Sequence, residues 1–134
     1  MKEIISKLKL KCLNLDNSKL IHETQNEIEE WSCETQIENT DCKTVIIGNA
    51  NAIQIYIYPS IDSNNANDLL RKVNKVNLEN LGCGIVCYID YDSETPFVEL
   101  KTLILDLQLY SEDSIVEVLN DSIQFVPQII KGLN

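Results

Sequence analysis

Residues 69–90, LLRKVNKVNLENLGCGIVCYID, join a helix-like pattern to a strand-like pattern through one Gly-Cys-Gly break. Apolar residues recur at helical spacing in the first half and predict a helix over residues 68–81. The side chains expected to face inward are Leu69, Leu70, Val73, Val76 and Leu81. Gly82 should end the helix, since glycine commonly follows the last turn. The stretch GIVCYIDY is rich in β-branched and aromatic residues and predicts a strand.

A β-hairpin is predicted upstream of this helix. The stretch KTVIIGNANAIQIYIYP contains two β-rich runs around GNAN, a turn in which Gly and Asn tolerate positive φ. Pro59 should close the second strand, because proline cannot continue a ladder of hydrogen bonds. Downstream, the turn DSETP followed by FVELKTLILDLQL predicts a second hairpin.

The two ends of the chain are predicted to be helical. Residues 2–13 place apolar side chains at helical spacing with lysines opposite, and a strand should begin between Ile28 and Cys33. Ser111 can cap a final helix, which Pro127 should kink or break. The order α-β-β-β-α-β-β-α predicts a single α+β domain over residues 1–134. We expect an antiparallel sheet of about five strands with flanking helices.

Alternation along the strands assigns side chains to two faces of the sheet. One face is aliphatic, and the other contains Tyr56, Tyr58, Tyr88, Phe97, Leu103 and Leu105, with Val86 and Leu107. Neither set is polar, so both faces should need a cover. Either a partner or a second copy covers the tyrosine-rich face, or helices divide between the two faces. The first alternative makes Tyr56, Tyr58, Tyr88, Phe97, Leu103 and Leu105 candidate partner-binding residues.

Asn74 and Asn77 lie one turn apart, close to the apolar stripe of the central helix. A buried amide needs hydrogen-bond partners. We interpret the pair as structural, with backbone groups of the following strand or loop as partners that fix the helix to the sheet. A ligand-binding amide pair and a surface position for one asparagine are the alternatives.

Composition excludes several classes of function. The net charge of −10 argues against nucleic acid and anionic lipid as main partners. Five cysteines without evident pairing favour a reduced, cytoplasmic environment. No stretch approaches the ~20 apolar residues that a membrane span needs, and no motif indicates a cofactor.

Candidate chemical sites in the sequence are weak. Cys83 and Cys87 are too far apart along a strand for one metal ion or a disulfide and are best explained as small buried apolar residues. Cys33 and Cys42 could face each other across neighbouring strands, but a metal or redox role for them is disfavoured. The stretch DYDSE lacks the glycine and the glutamate of a calcium loop. His22 is the one histidine, and no signature links a thiol to it. We therefore predict no metal site and no catalytic residues.

A family resemblance rests on LLRKVNKVNLEN, the hairpin after it and the closing stretch SEDSIVEVLNDSIQFVPQIIKGL. Over roughly residues 42–133 the chain resembles the YbjN-like family of bacterial sensory-transduction regulators, which shares its fold with class I type III secretion chaperones. The cysteines and the Pro127 interruption depart from the family pattern. The resemblance implies a small acidic α+β domain, often dimeric, that binds protein and has no established catalytic centre.

The expected function is therefore non-catalytic protein binding, either chaperone-like or regulatory, with a possible homodimer. The alternative is an immunity or antitoxin protein that neutralises a basic toxin by charge complementarity. A thiol-dependent enzyme is the least favoured hypothesis, because it depends on the cysteines and His22 alone.

Overall fold

The computed structural model describes residues 2–9, 19–62 and 64–134, so Cys12 and the end of the first predicted helix lie outside the described residues. The α+β class with an antiparallel sheet and flanking helices is confirmed. The helices are α1 (Lys2–Lys7), α2 (Ala66–Glu79), α3 (Glu112–Ile123) and α4 (Val126–Leu133). The strands are β1 (Ile21–Gln25), β2 (Ile28–Ile37), β3 (Thr40–Gly48), β4 (Ala52–Pro59), β5 (Ile85–Asp90), β6 (Phe97–Thr102) and β7 (Leu105–Asp106).

The sheet has seven strands in the described residues rather than about five, in the order β1-β2-β3-β4-β6-β5, with β7 paired to β4. All pairings are antiparallel. β1 to β4 form a meander with short turns, and β6 returns after α2 and β5 to pair with β4. The two extra strands are β1, which the sequence left undecided, and β7, which is the separated end of a predicted longer strand.

Two tight turns explain why β1 to β3 form consecutive hairpins. Gln25 pairs with Ile28 and Ile37 pairs with Thr40, so each turn has two residues. All four turn residues have positive φ, between 50° and 63°: Asn26, Glu27, Glu38 and Asn39. Two successive left-handed residues match the twist of the flanking strands. Glutamate is unfavourable in this conformation, so the sequence signal for these turns is weak.

The predicted strand FVELKTLILDLQL is broken after Thr102. The Thr102 hydroxyl accepts a hydrogen bond from the Ile55 N–H at 3.0 Å, and its carbonyl accepts one from Gln54 Nε2 at 2.8 Å. Side-chain bonds therefore replace the ladder between β4 and β6 at this point. The break shifts the alternation: Ile104, predicted on the aliphatic face, is exposed, whereas Leu105 is buried beside its partner Ile53.

One hydrophobic cluster joins the four helices to the aliphatic face of the sheet. The predicted buried stripe of the last helices is confirmed, and Pro127 stands at the start of α4, after the break that it was expected to cause. The stripe residues, all buried, are Ile115, Leu119, Ile123, Val126 and Ile130. The alternative in which helices divide between the two faces is wrong for the described residues.

The central helix is close to its prediction, but it begins and ends two residues earlier. Asn65 caps it by accepting a hydrogen bond from the Asp68 N–H at 3.0 Å. Leu69, Val73 and Val76 are buried as expected, whereas Leu70 and Leu81 are exposed, which corrects their inward assignment.

Within the described ranges, no helix combines the length and the apolar character required to cross a bilayer.

Candidate functional site

The candidate site is the face of the sheet opposite the helices, here called the outer face. Its central members come from β3 to β6. They are Lys43, Val45 and Ile47 on β3, Gln54, Tyr56 and Tyr58 on β4, Phe97, Glu99 and Lys101 on β6, and Val86, Tyr88 and Asp90 on β5. β2 and β1 extend this face with Glu30, Glu34 and Glu23. The strand register therefore gathers residues from distant parts of the sequence.

Four of the six predicted partner-binding residues lie together on this face. Tyr56, Tyr58 and Tyr88 are half-buried, and Phe97 is 37% exposed. Leu103 is exposed in the link between β6 and β7, outside the strands. Leu105 belongs to the hydrophobic core on the other side of the sheet, and its assignment to the tyrosine-rich face is wrong because of the strand break at Thr102.

The aromatic rings on the outer face are packed against one another. The Tyr56 and Tyr58 ring centroids are 6.2 Å apart with nearly parallel planes, and Phe97 is tilted against Tyr58 at 6.0 Å. Lys101 Nζ lies over the Tyr88 ring, 4.9 Å from its centroid, which is a cation–π geometry. The face therefore presents aromatic surface that is ordered before any partner binds.

Glu99 is a residue of the outer face that was not predicted from the sequence. It is 5% exposed, and the hydroxyl groups of Tyr58 and Tyr88 both donate hydrogen bonds to it. Burial, followed by these bonds to Glu99, raises the pKa of both tyrosines well above the usual value of 10. The carboxyl group thus fixes two rings in place. Simple alternation from Phe97 in FVELK was the available signal for Glu99.

The outer face is mixed rather than apolar, which corrects the expectation that both faces are oily. Glu99 lies opposite Tyr88 in the β5–β6 ladder, and Gln54 lies beside Tyr56, whose hydroxyl donates to Gln54 Oε1 at 2.7 Å. An open depression of about 660 Å³ crosses the face. It is lined by Glu30, Lys43, Val45, Ile47, Tyr56, Tyr58, Phe97 and Glu99.

Asn77 has the structural role predicted for it. Its Nδ2 donates to the Cys87 carbonyl at 2.7 Å, and its Oδ1 accepts from the Cys87 N–H at 2.9 Å. Cys87 lies on β5, the last strand of the sheet, so one side chain of α2 pairs with the strand edge as a neighbouring strand would. Asn74 is exposed, as its surface alternative required.

Asn80 is a second structural amide, which the sequence analysis did not single out. It is buried, its Nδ2 donates to the Val76 carbonyl at 2.7 Å, and its Oδ1 accepts from Gln128 Nε2 at 3.0 Å. The amide closes the end of α2 and joins it to α4. No ligand role follows for either asparagine that is bonded in this way.

The four described thiols are buried, in agreement with the interpretation of Cys83 and Cys87 as small buried apolar residues. Burial raises the pKa of Cys33, and it raises the pKa of Cys42 to about 11 and that of Cys87 to about 12. These three thiols stay protonated near neutral pH and are poor nucleophiles. Among the described residues, no group of three or more His, Cys, Asp or Glu side chains is placed to hold a metal ion.

His22 lies on the helix-facing side of β1, away from the outer face. Its ring stacks on Trp31 with centroids 3.8 Å apart and planes 9° apart. Its Nε2 is 3.9 Å from Glu29 Oε1. The neighbours of the His22 ring in these two contacts are an aromatic ring and a carboxylate, not a thiol. The geometry therefore gives no support to a catalytic Cys-His pair.

Comparisons with known proteins inform the fold alone. No protein-family model matches the chain, and no curated protein matches it significantly. The chain is similar in structure to an uncharacterized protein from Methanothermobacter thermautotrophicus, with a TM-score of 0.55 and 14% sequence identity. The similarity covers 98% of this chain and 95% of the archaeal chain. At this identity the match supports the architecture and carries no function.

Proposed function

We propose that this protein is a non-catalytic binding module that holds another protein on the outer face of its sheet. The observation that carries the proposal is the asymmetry of the sheet. Helices pack on one face, while the other presents a prearranged cluster of Tyr56, Tyr58, Tyr88 and Phe97 around Glu99. Ordered aromatic side chains with polar edges are enriched where proteins bind proteins.

The resemblance to YbjN-like proteins supports a chaperone-like or regulatory role for this binding. The immunity or antitoxin hypothesis stays as the second candidate, because the outer face is rich in carboxylates. Both hypotheses require a protein partner and place it on the same surface. A neighbouring toxin reading frame would favour the second candidate.

Capture from cell extract with three forms of the protein tests the proposal. The wild type should retain a partner, and Phe97→Asp should lose it, because a charge would enter the aromatic cluster. Leu78→Asp is the matched control: Leu78 is 69% exposed on α2, on the helix side, and its replacement should leave capture unchanged.

Equal capture by all three forms would exclude the outer face as the binding surface. Light scattering on the purified protein addresses the possible homodimer separately. A dimer mass for the wild type, together with a monomer mass for Phe97→Asp, would indicate that a second copy binds on this face. Turnover of a small molecule, with no partner captured, would contradict the non-catalytic role.

A further inference from the structure

We propose that the outer face takes a basic segment of the partner protein, with an arginine or lysine side chain seated on Tyr58 and Phe97 beside Glu30. This inference rests on the proposed function and adds the chemical class of the partner. The occupant is a cationic protein segment rather than a second copy of this chain.

The first observation is the sign of the charge. The ladder register places six acidic residues and two basic residues on the outer face, a formal net charge of −4. They are Glu23, Glu30, Glu34, Asp41, Asp90 and Glu99 against Lys43 and Lys101. A second copy or a nucleic acid would bring like charge against this surface, which is unfavourable, whereas a basic segment is attracted to it.

The second observation is that this surface already seats a cation. Lys101 Nζ lies 4.9 Å from the centroid of the Tyr88 ring. Phe97 on β6 and Tyr58 on β4 offer the same chemistry, and among the described residues no cation is stacked on either ring. Aromatic faces next to carboxylates bind guanidinium and ammonium groups by combining ring and charge attraction.

The third observation is the position of the carboxyl groups around Tyr58. Glu30 and Glu99 both act electrostatically on the Tyr58 hydroxyl, and both line the open depression. Glu99 is buried and accepts the tyrosine hydroxyl, so it positions the ring, whereas Glu30 is only half-buried and can reach a bound cation. Lys43 also lines the depression, so a single ammonium faces two carboxyl groups.

Fluorescence anisotropy with designed peptides tests this inference. The probe is a labelled peptide of about 8 residues that alternates Thr and Arg, which at ~3.3 Å per residue is long enough to cross six strands ~4.8 Å apart. Matched peptides carry Gln or Glu in place of Arg. The Arg peptide should bind, the other two should not, and added salt should weaken the binding.

The variants used are Tyr58→Leu, Glu30→Gln and Glu117→Gln. The first removes the ring, and the second removes the accessible carboxylate; each should weaken binding about tenfold. Glu117→Gln removes the same charge from an exposed position on α3, on the helix side, and should leave binding unchanged. Urea denaturation shows whether the Tyr58→Leu variant is folded. If that variant is not folded, peptide binding by the Glu30→Gln variant tests the inference instead.

Three results would overturn the inference. Equal weakening by Glu30→Gln and Glu117→Gln would show general attraction to an acidic protein instead of a site. Equal binding of the Gln peptide would show that the partner need not be basic, while the proposed binding function would stand. Absence of binding by the Arg peptide would exclude a cation-binding site on Tyr58 and Phe97. The capture experiment with Phe97→Asp would still test the proposed function independently.

Discussion

Asn77 shows how one side chain can protect the edge of a sheet. Strand β5 is a terminal strand, and the N–H and C=O groups of an edge invite pairing with other chains. The Asn77 amide occupies both groups of Cys87. Ile85, two residues earlier, donates its N–H to the Cys83 sulfur at 3.4 Å. Two side chains thus cover adjacent positions of the same edge.

Replacement of Asn77 by alanine should lower the free energy of unfolding by about 2–3 kcal/mol, because two backbone groups lose their partners in a half-buried position. Asn74→Ala is the matched control on the exposed side of the same helix and should change stability by less than about 0.5 kcal/mol. Urea denaturation measures both values. Amide hydrogen exchange at Cys87 should accelerate in Asn77→Ala; unchanged exchange would contradict the role given to Asn77.

At the scale of elements, regular periodicity was sufficient for prediction and local interruptions were not. The hairpin of β3 and β4, the helix α2 and the break at Pro127 follow from residue spacing. The break after Thr102 depends on a bond to Ile55, which is 47 positions away in the sequence and invisible to a local pattern. Leu105 was misplaced for that reason, and β1 was undecided because its turn contains Glu27 instead of glycine.

The packing of α4 on α2 depends on a small residue at one point of contact. A Cβ added to Gly132 would lie 2.6 Å from Cγ1 of Val76, which is buried. A contact that short requires the Val76 side chain or one of the two helices to shift. The absence of a side chain at Gly132 therefore sets how closely the two helices approach.

Gly132→Ala should destabilise the protein by about 1–3 kcal/mol through overpacking, although alanine is the better helix former by about 1 kcal/mol. Lys131→Ala, at the exposed neighbouring position, is the control for helix propensity. Thermal unfolding compares the two. If Gly132→Ala is more stable than the wild type, the close approach at Val76 does not limit the packing. The double variant with Val76→Ala should show less than the sum of the two losses.

At the scale of the whole molecule, raised pKa values of two buried thiols and two half-buried tyrosine hydroxyls make stability sensitive to alkaline pH. The folded-state pKa of Cys42 is about 11 and that of Cys87 about 12, above the usual value of 9, and Tyr58 and Tyr88 are raised above 10. Their neutral forms are favoured in the folded state. The resulting stability is complete below the unfolded pKa values and decreases as pH rises through them.

The urea midpoint should therefore be lower at about pH 10.5 than at about pH 8, in proportion to the groups that ionise on unfolding. Cys87→Ala removes one such group and should reduce the difference between the two midpoints. Circular dichroism follows the transition at each pH. Equal midpoints for the wild type at both pH values would contradict the raised pKa values.

The join between the two ladders of the sheet has a consequence for binding. β4 and β6 are paired through Tyr56 with Lys101 and Ile57 with Leu100, whereas β2 and β3 share nine paired positions. The aromatic cluster spans this narrow seam, with Tyr58 on one side and Phe97 on the other. A partner bound there would contact both ladders at once. Binding of the partner would therefore raise the free energy of unfolding, and a measurement of stability would show whether the partner is bound.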